Sequence, residues 1–248
     1  GSSKLRAVIV QEGEDLLRSM ATIAGEPKGK PYPVVLEIHP AKEEAPSRIV
    51  RSFRTLPENE NRYRLQVDLR LGAGESFDQE NLRLVLLEMF IIERGLKSLP
   101  DGERATQVGV PAWLLYGLMA SLEWDDGKMD RRVYGSLLKS GGWMEVEKLV
   151  DQKEVEKMDR LSRDLYRAST CALVRAFLKQ PKGKDGMAQL VSVVGAFEGE
   201  QISLIQNHFS EVNLSRKGLE RMWMLQVAAM AQSRLANAMT IAETEAEL

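Results

Sequence analysis

Residues 63–71 read Tyr-Arg-Leu-Gln-Val-Asp-Leu-Arg-Leu, and residues 84–92, a little further on, read Leu-Val-Leu-Leu-Glu-Met-Phe-Ile-Ile. The first stretch alternates apolar with polar at every step, the period of a strand with one face buried and one in water. The second sets eight apolar residues around a single carboxylate, Glu88. Wound as a helix it is apolar on all sides and belongs in an interior. Gly72-Ala73-Gly74 separates the two, and Asp78, followed by Gln79 and Glu80, supplies a helix N-cap with acid in the first turn. The chain thus turns from strand to helix once, near residue 75.

Upstream of this point the reading is of sheet. Residues 34–39 and 49–53 predict two further strands, and residues 5–10, Leu-Arg-Ala-Val-Ile-Val, a fourth; residues 12–24 carry Leu16, Leu17, Met20 and Ile23 at helical spacing. Downstream, Gly and Pro punctuate a series of predicted helices at 78–94, 111–123, 131–139, 145–150, 153–179, 184–196, 200–209 and 215–239. The fold class is α+β by segregation. A small N-terminal mixed sheet packs on the helix that carries Glu88, and a helical C-terminal region follows. One domain over residues 1–248 is expected, with an α/β subregion at about 4–77 and a helical one at about 78–240.

Composition narrows the chemistry. The 248 residues hold 34 Lys+Arg against 36 Asp+Glu, a net charge of −2, with 44% hydrophobic and 28% charged residues. That balance is ordinary for a globular chain and gives no surface built for phosphate backbones, so no nucleic-acid partner is expected. Cys171 stands alone, which excludes an internal disulfide and any Cys-rich metal cage and reads as a buried thiol. His39 and His208 have no second His or Cys at ligand spacing, and neither a metal nor another cofactor is expected. No apolar run reaches the roughly 18 residues of a membrane span. Gly1-Ser2-Ser3 has the look of a cloning remnant, which leaves room for an upstream signal or anchor.

Other motifs have plain readings. Trp113, Trp143, Trp223, Tyr116 and Tyr166 sit at helical apolar positions and read as packing. Trp124-Asp125-Asp126-Gly127 lacks the remaining ligands of a calcium loop and reads as a turn that ends a helix. Arg48, Arg51, Arg54, Arg62, Arg64 and Arg70 outnumber Glu58, Glu60 and Asp68 between residues 48 and 70; such an excess can steer an acidic partner, but it reads first as charges guarding a sheet edge against aggregation.

The segment Val110-Pro111-Ala112-Trp113-Leu114-Leu115-Tyr116-Gly117-Leu118-Met119-Ala120-Ser121-Leu122-Glu123 resembles the P-x-W-L-x-E-G-x-A segment that follows the active-site helix of gluzincin-type zinc metallopeptidases. The similarity extends to the order of elements. Those enzymes have a βαβββ front half, a helix with H-E-x-x-H, this segment, and then a helical C-terminal region. Leu165-Tyr166-Arg167-Ala168-Ser169, Leu173-Val174-Arg175-Ala176-Phe177-Leu178 and Gly218-Leu219-Glu220-Arg221-Met222-Trp223 resemble stretches of that region.

The resemblance implies a zincin-like fold and places Leu87 in the first histidine slot, Glu88 in the general-base slot, Ile91 in the second histidine slot and Tyr116 in the slot of the third ligand, a glutamate. Leucine and isoleucine offer zinc only C–H groups, and tyrosine a phenol of pKa about 10. Without the ion there is no water titrating near about 7 for Glu88 to activate and nothing to polarise a carbonyl. The implied function is a catalytically inactive metallopeptidase-like module, a pseudopeptidase that binds protein or peptide, bacterial and extracytoplasmic (periplasmic or envelope-associated) by the habit of similar proteins. Two alternatives are an enzyme of non-metal chemistry centred on Glu88 and Tyr116, and a purely structural α+β domain. A buried carboxylate needs a donor, so either the Tyr116 hydroxyl or an arginine is expected against Glu88. In the peptidases a sheet edge beside the active-site helix binds substrate as an added strand. The strand over residues 62–71, with Arg64, Gln66 and Asp68 on its polar face, is the expected relict of that edge.

Overall fold

The computed structural model describes residues 3–26, 32–40, 46–55, 63–100, 105, 107–140, 145–209 and 215–236. In chain order the elements are α1 (Ser3–Ala24), β1 (Val34–His39), β2 (Arg48–Thr55), β3 (Tyr63–Arg70), α2 (Gln79–Lys97), α3 (Ala112–Asp125), α4 (Arg132–Ser140), α5 (Val146–Asp151), α6 (Arg160–Leu178), α7 (Gly183–Val194), α8 (Gln201–His208) and α9 (Arg216–Ala236), with short 3-10 turns at Ala73–Glu75 and Val155–Lys157. The class is α+β, a three-stranded mixed sheet near the N-terminus followed by a mostly helical region. Packing groups the chain into two units. The first comprises residues 1–111 and 182–208, the second 112–181 and 209–248.

In the first unit, β3 lies between its two neighbours, parallel to β1 and antiparallel to β2. Its alternation has the expected outcome: Tyr63, Leu65, Val67 and Leu69 are buried, and Leu65, Val67 and Tyr63 pack against Val85, Met89, Ile92 and Leu96 of α2. Asp78 caps α2 by accepting from the Asn81 amide at 2.9 Å. On its other side α2 meets α7, and the two approach at glycines. A Cβ on Gly95 would lie 2.8 Å from the Gly195 Cα, and one on Gly195 would lie 2.7 Å from the Ile92 Cα. Backbone fills that space, so only hydrogen fits there.

Residues 5–10 do not form the strand expected of them. They are the first half of α1, whose buried residues Ile9, Leu16, Met20 and Ile23 follow helical spacing while Val8 and Val10 are exposed. The β preference of Ala-Val-Ile-Val is a local bias that the continuous apolar stripe overrides. The described front half is therefore αβββ rather than the βαβββ that the resemblance implies. The helix expected at 153–179 is also divided. Asp159 accepts from the Ser162 amide at 2.9 Å and so starts α6 afresh after the 3-10 turn.

In the second unit, α3 is apolar all round and packs along α6. Gly117 permits the approach, since a Cβ there would stand 2.7 Å from the Thr170 carbonyl oxygen. Trp113 lies edge-on to Phe177, and the Trp223 indole donates to the Ser169 carbonyl at 2.9 Å. At the end of α3 the Gly127 amide donates to the Trp124 carbonyl with Gly127 at φ 71°, which makes Asp125-Asp126-Gly127 the helix-ending turn expected.

Candidate functional site

Leu87, Glu88 and Ile91 occupy the middle of α2. Leu87 and Ile91 stand one turn apart on the helix, and both are fully buried. Glu88 is 5% exposed. Its partner comes from the sheet by parity. In an antiparallel ladder, residues directly opposite point to the same face, and Arg51 of β2 is opposite Val67, an inward residue of β3. Arg51 therefore projects towards α2, where its guanidinium reaches Glu88 Oε2 at 2.8 Å. Of the two partners expected for Glu88, the arginine is present. The sequence carried a sign of it: Ile49-Val50-Arg51-Ser52-Phe53 places an arginine in an otherwise apolar inward series.

Tyr116 lies on α3 in the second unit, edge-on to Tyr166 with ring centroids 6.0 Å apart. Burial, with Tyr116 nearby, pushes the Tyr166 phenol upward, well away from the range of a general base. Cys171 is fully buried and its thiol is pushed up to about 12 by desolvation, as fits a packing residue rather than a nucleophile. His208 is satisfied by the Leu204 carbonyl at 2.8 Å. Trp143, Arg62, Glu58 and Glu60 lie outside the described residues.

The expected peptide-binding edge needs correction. Arg64, Gln66 and Asp68 do sit on the polar face of β3, but β3 is the central strand, with β1 and β2 bonded along both its sides. Its backbone has no room for an added strand. Among the described residues the edges are β1 and β2, and β2 is the one that delivers Arg51 to Glu88. β2 also carries Arg48 and Arg54, which therefore lie on an edge strand, whereas Arg64 and Arg70, read with them as edge charges, lie on the central strand β3.

The polar face of the sheet holds one grouping that sequence reasoning missed. Glu37 and Asp68 are register partners on β1 and β3, and His39 follows Glu37 on the same face. The His39 Nε2 lies 3.5 Å from Asp68 Oδ1 and 4.0 Å from Glu37 Oε2. Asp68 is held below the usual carboxylate range, first by the Gln66 amide that donates to it at 2.8 Å and then by His39. Only the parallel pairing of β1 with β3 reveals this, because Asp68 lies far from His39 in sequence.

No protein-family model, curated protein or solved structure matches the chain.

Proposed function

We propose that the chain is a catalytically inactive zincin-like module, a pseudopeptidase, that binds an extended peptide or protein segment. The observation that carries the proposal is the state of α2. Residues 87 and 91 are hydrocarbon with no exposure, and the acid between them is engaged by Arg51. With the pattern of residues 110–123, this is what a metallopeptidase helix becomes when ligand positions are refilled with apolar volume. Each such side chain, fully buried, contributes about 1.5–3 kcal/mol to the fold. The ancestral habitat, bacterial and extracytoplasmic, goes with the same reading.

The binding edge in this proposal is β2. Arg48 and Arg54, on the face away from α2, oppose a second copy of the same strand and favour an acidic one, so the ligand is an extended acidic peptide added alongside residues 48–55. Two measurements test the proposal on the whole chain. Incubation with unstructured protein substrate and added zinc should give no cleavage; chelator-sensitive hydrolysis would overturn inactivity. Peptides selected from a displayed random library should be acidic and should perturb the backbone amide resonances of residues 48–55. Selected peptides that leave those resonances unmoved would overturn the edge.

A further inference from the structure

We propose that Glu37, His39 and Asp68 form a binding site for a divalent transition-metal ion of the zinc, cobalt and nickel class, on the face of the sheet opposite α2. The inference stands apart from the pseudopeptidase reading, since it uses none of residues 87, 88, 91 or 116.

The backbone sets the geometry. Parallel neighbours lie about 4.8 Å apart, and residues two apart on a strand point to one side, so Glu37, Asp68 and His39 occupy three adjacent corners of one surface. One ligand atom from each falls within 4.8 Å of the other two. Bonds of about 2.0–2.2 Å around a tetrahedral ion need ligand atoms a little over 3 Å apart. The His39–Asp68 separation of 3.5 Å nearly meets this already, and the Glu37 arm closes by side-chain rotation.

The surrounding groups suit the role. Gln66 donates to Asp68 and fixes its carboxylate, and Arg64 approaches Glu37 through Oε1 at 3.3 Å, on the oxygen other than the one facing the imidazole. Such outer partners orient metal ligands. Two carboxylates and one imidazole favour a borderline ion over magnesium or calcium, which prefer an all-oxygen shell. The three side chains are part-exposed, so an ion has free entry and water completes its shell.

The chain, stripped of metal with chelator, is titrated with zinc by calorimetry and with cobalt while the one-dimensional histidine proton signals are followed. The expected result is one saturable equivalent, with the His39 ring signals broadened by cobalt and those of His208 untouched. His39→Ala and Asp68→Asn should each weaken zinc binding at least tenfold with an unchanged melting curve in metal-free buffer, and Gln66→Leu should weaken it about tenfold. Absence of saturable binding, binding that persists in His39→Ala, or broadening that spares the His39 ring would each overturn the site. The ring signals of the unaltered chain decide the matter even if a variant folds poorly.

Discussion

Arg51 and Glu88 meet at 2.8 Å because the register of β2 on β3 turns the arginine inward onto α2. The carboxylate is nearly sealed from water while the guanidinium is half exposed, so the acid is the member that depends on the pair. Arg51→Ala should lower the unfolding free energy by about 1–3 kcal/mol, the cost of leaving a buried charged acceptor poorly answered. Arg51→Lys should recover part of it. Urea denaturation measures both, and an unchanged midpoint for Arg51→Ala would show that the pair contributes nothing.

Gly95 and Gly195 allow α2 and α7 to touch through backbone. Gly195→Ala places a methyl 2.7 Å from the Ile92 Cα and 2.8 Å from the Ile91 carbonyl oxygen, neither of which can rotate aside. A loss of about 1–3 kcal/mol is expected, as for overpacking. Gly13→Ala is the control. It lies inside α1 with nothing within 4 Å, and there alanine should stabilise by about 0.5–1 kcal/mol. Thermal melts of the two variants should move in opposite directions, and a shared direction would count against the close crossing.

If the zincin-like reading is right, restoring the ligands should restore the ion. Leu87→His and Ile91→His, one turn apart on α2 with Glu88 between them, are combined in a His39→Ala background, so that zinc cannot lodge at the outer face of the sheet. The combination should hold stoichiometric zinc after dialysis, and its melting temperature, lowered by loss of two core hydrocarbons, should rise again with the metal. Zinc content equal to that of the His39→Ala parent would remove the ancestral alignment.

Alkali should act on the Cys171 thiol. The native thiol holds its proton up to about 12, whereas an unfolded cysteine loses it near about 8.5. Above the lower value the unfolded chain binds fewer protons than the native one. Stability therefore falls with rising pH through that window, by at most about 1.4 kcal/mol per pH unit from this group, and is untouched below it. Between about pH 9 and 10, before unfolded tyrosines join, Cys171→Ala should flatten the slope of unfolding free energy against pH. An identical slope would show that the thiol titrates normally in the fold.

The parts of the fold that were legible in sequence are those where local chemistry and packing agree. The alternation of residues 63–71, the Asp78 cap and the apolar girth of residues 84–92 each point one way, and β3 and α2 follow. Residues 5–10 point two ways, and the stripe from Ile9 to Ile23 decides. The position of β3 between β1 and β2 follows from a crossover that no short window shows. The site was legible to the same degree. Leu87 and Ile91 were read as buried hydrocarbon from their neighbours alone, and either the Tyr116 hydroxyl or an arginine was expected against Glu88. Its identity as Arg51, and the meeting of Glu37, His39 and Asp68, depend on which strands pair and in what register.

The sheet-bearing unit takes its last two helices, α7 and α8, from the far side of a stretch some seventy residues long that belongs elsewhere. During synthesis its early portion leaves the ribosome with the α7-facing sides of α1 and α2 still bare. That portion has no α7 to pack against until residue 194 has been made. A protein interrupted near residue 111 would thus be an unfinished body with an apolar flank in the open, a target for holding chaperones and for proteolysis rather than a smaller working copy.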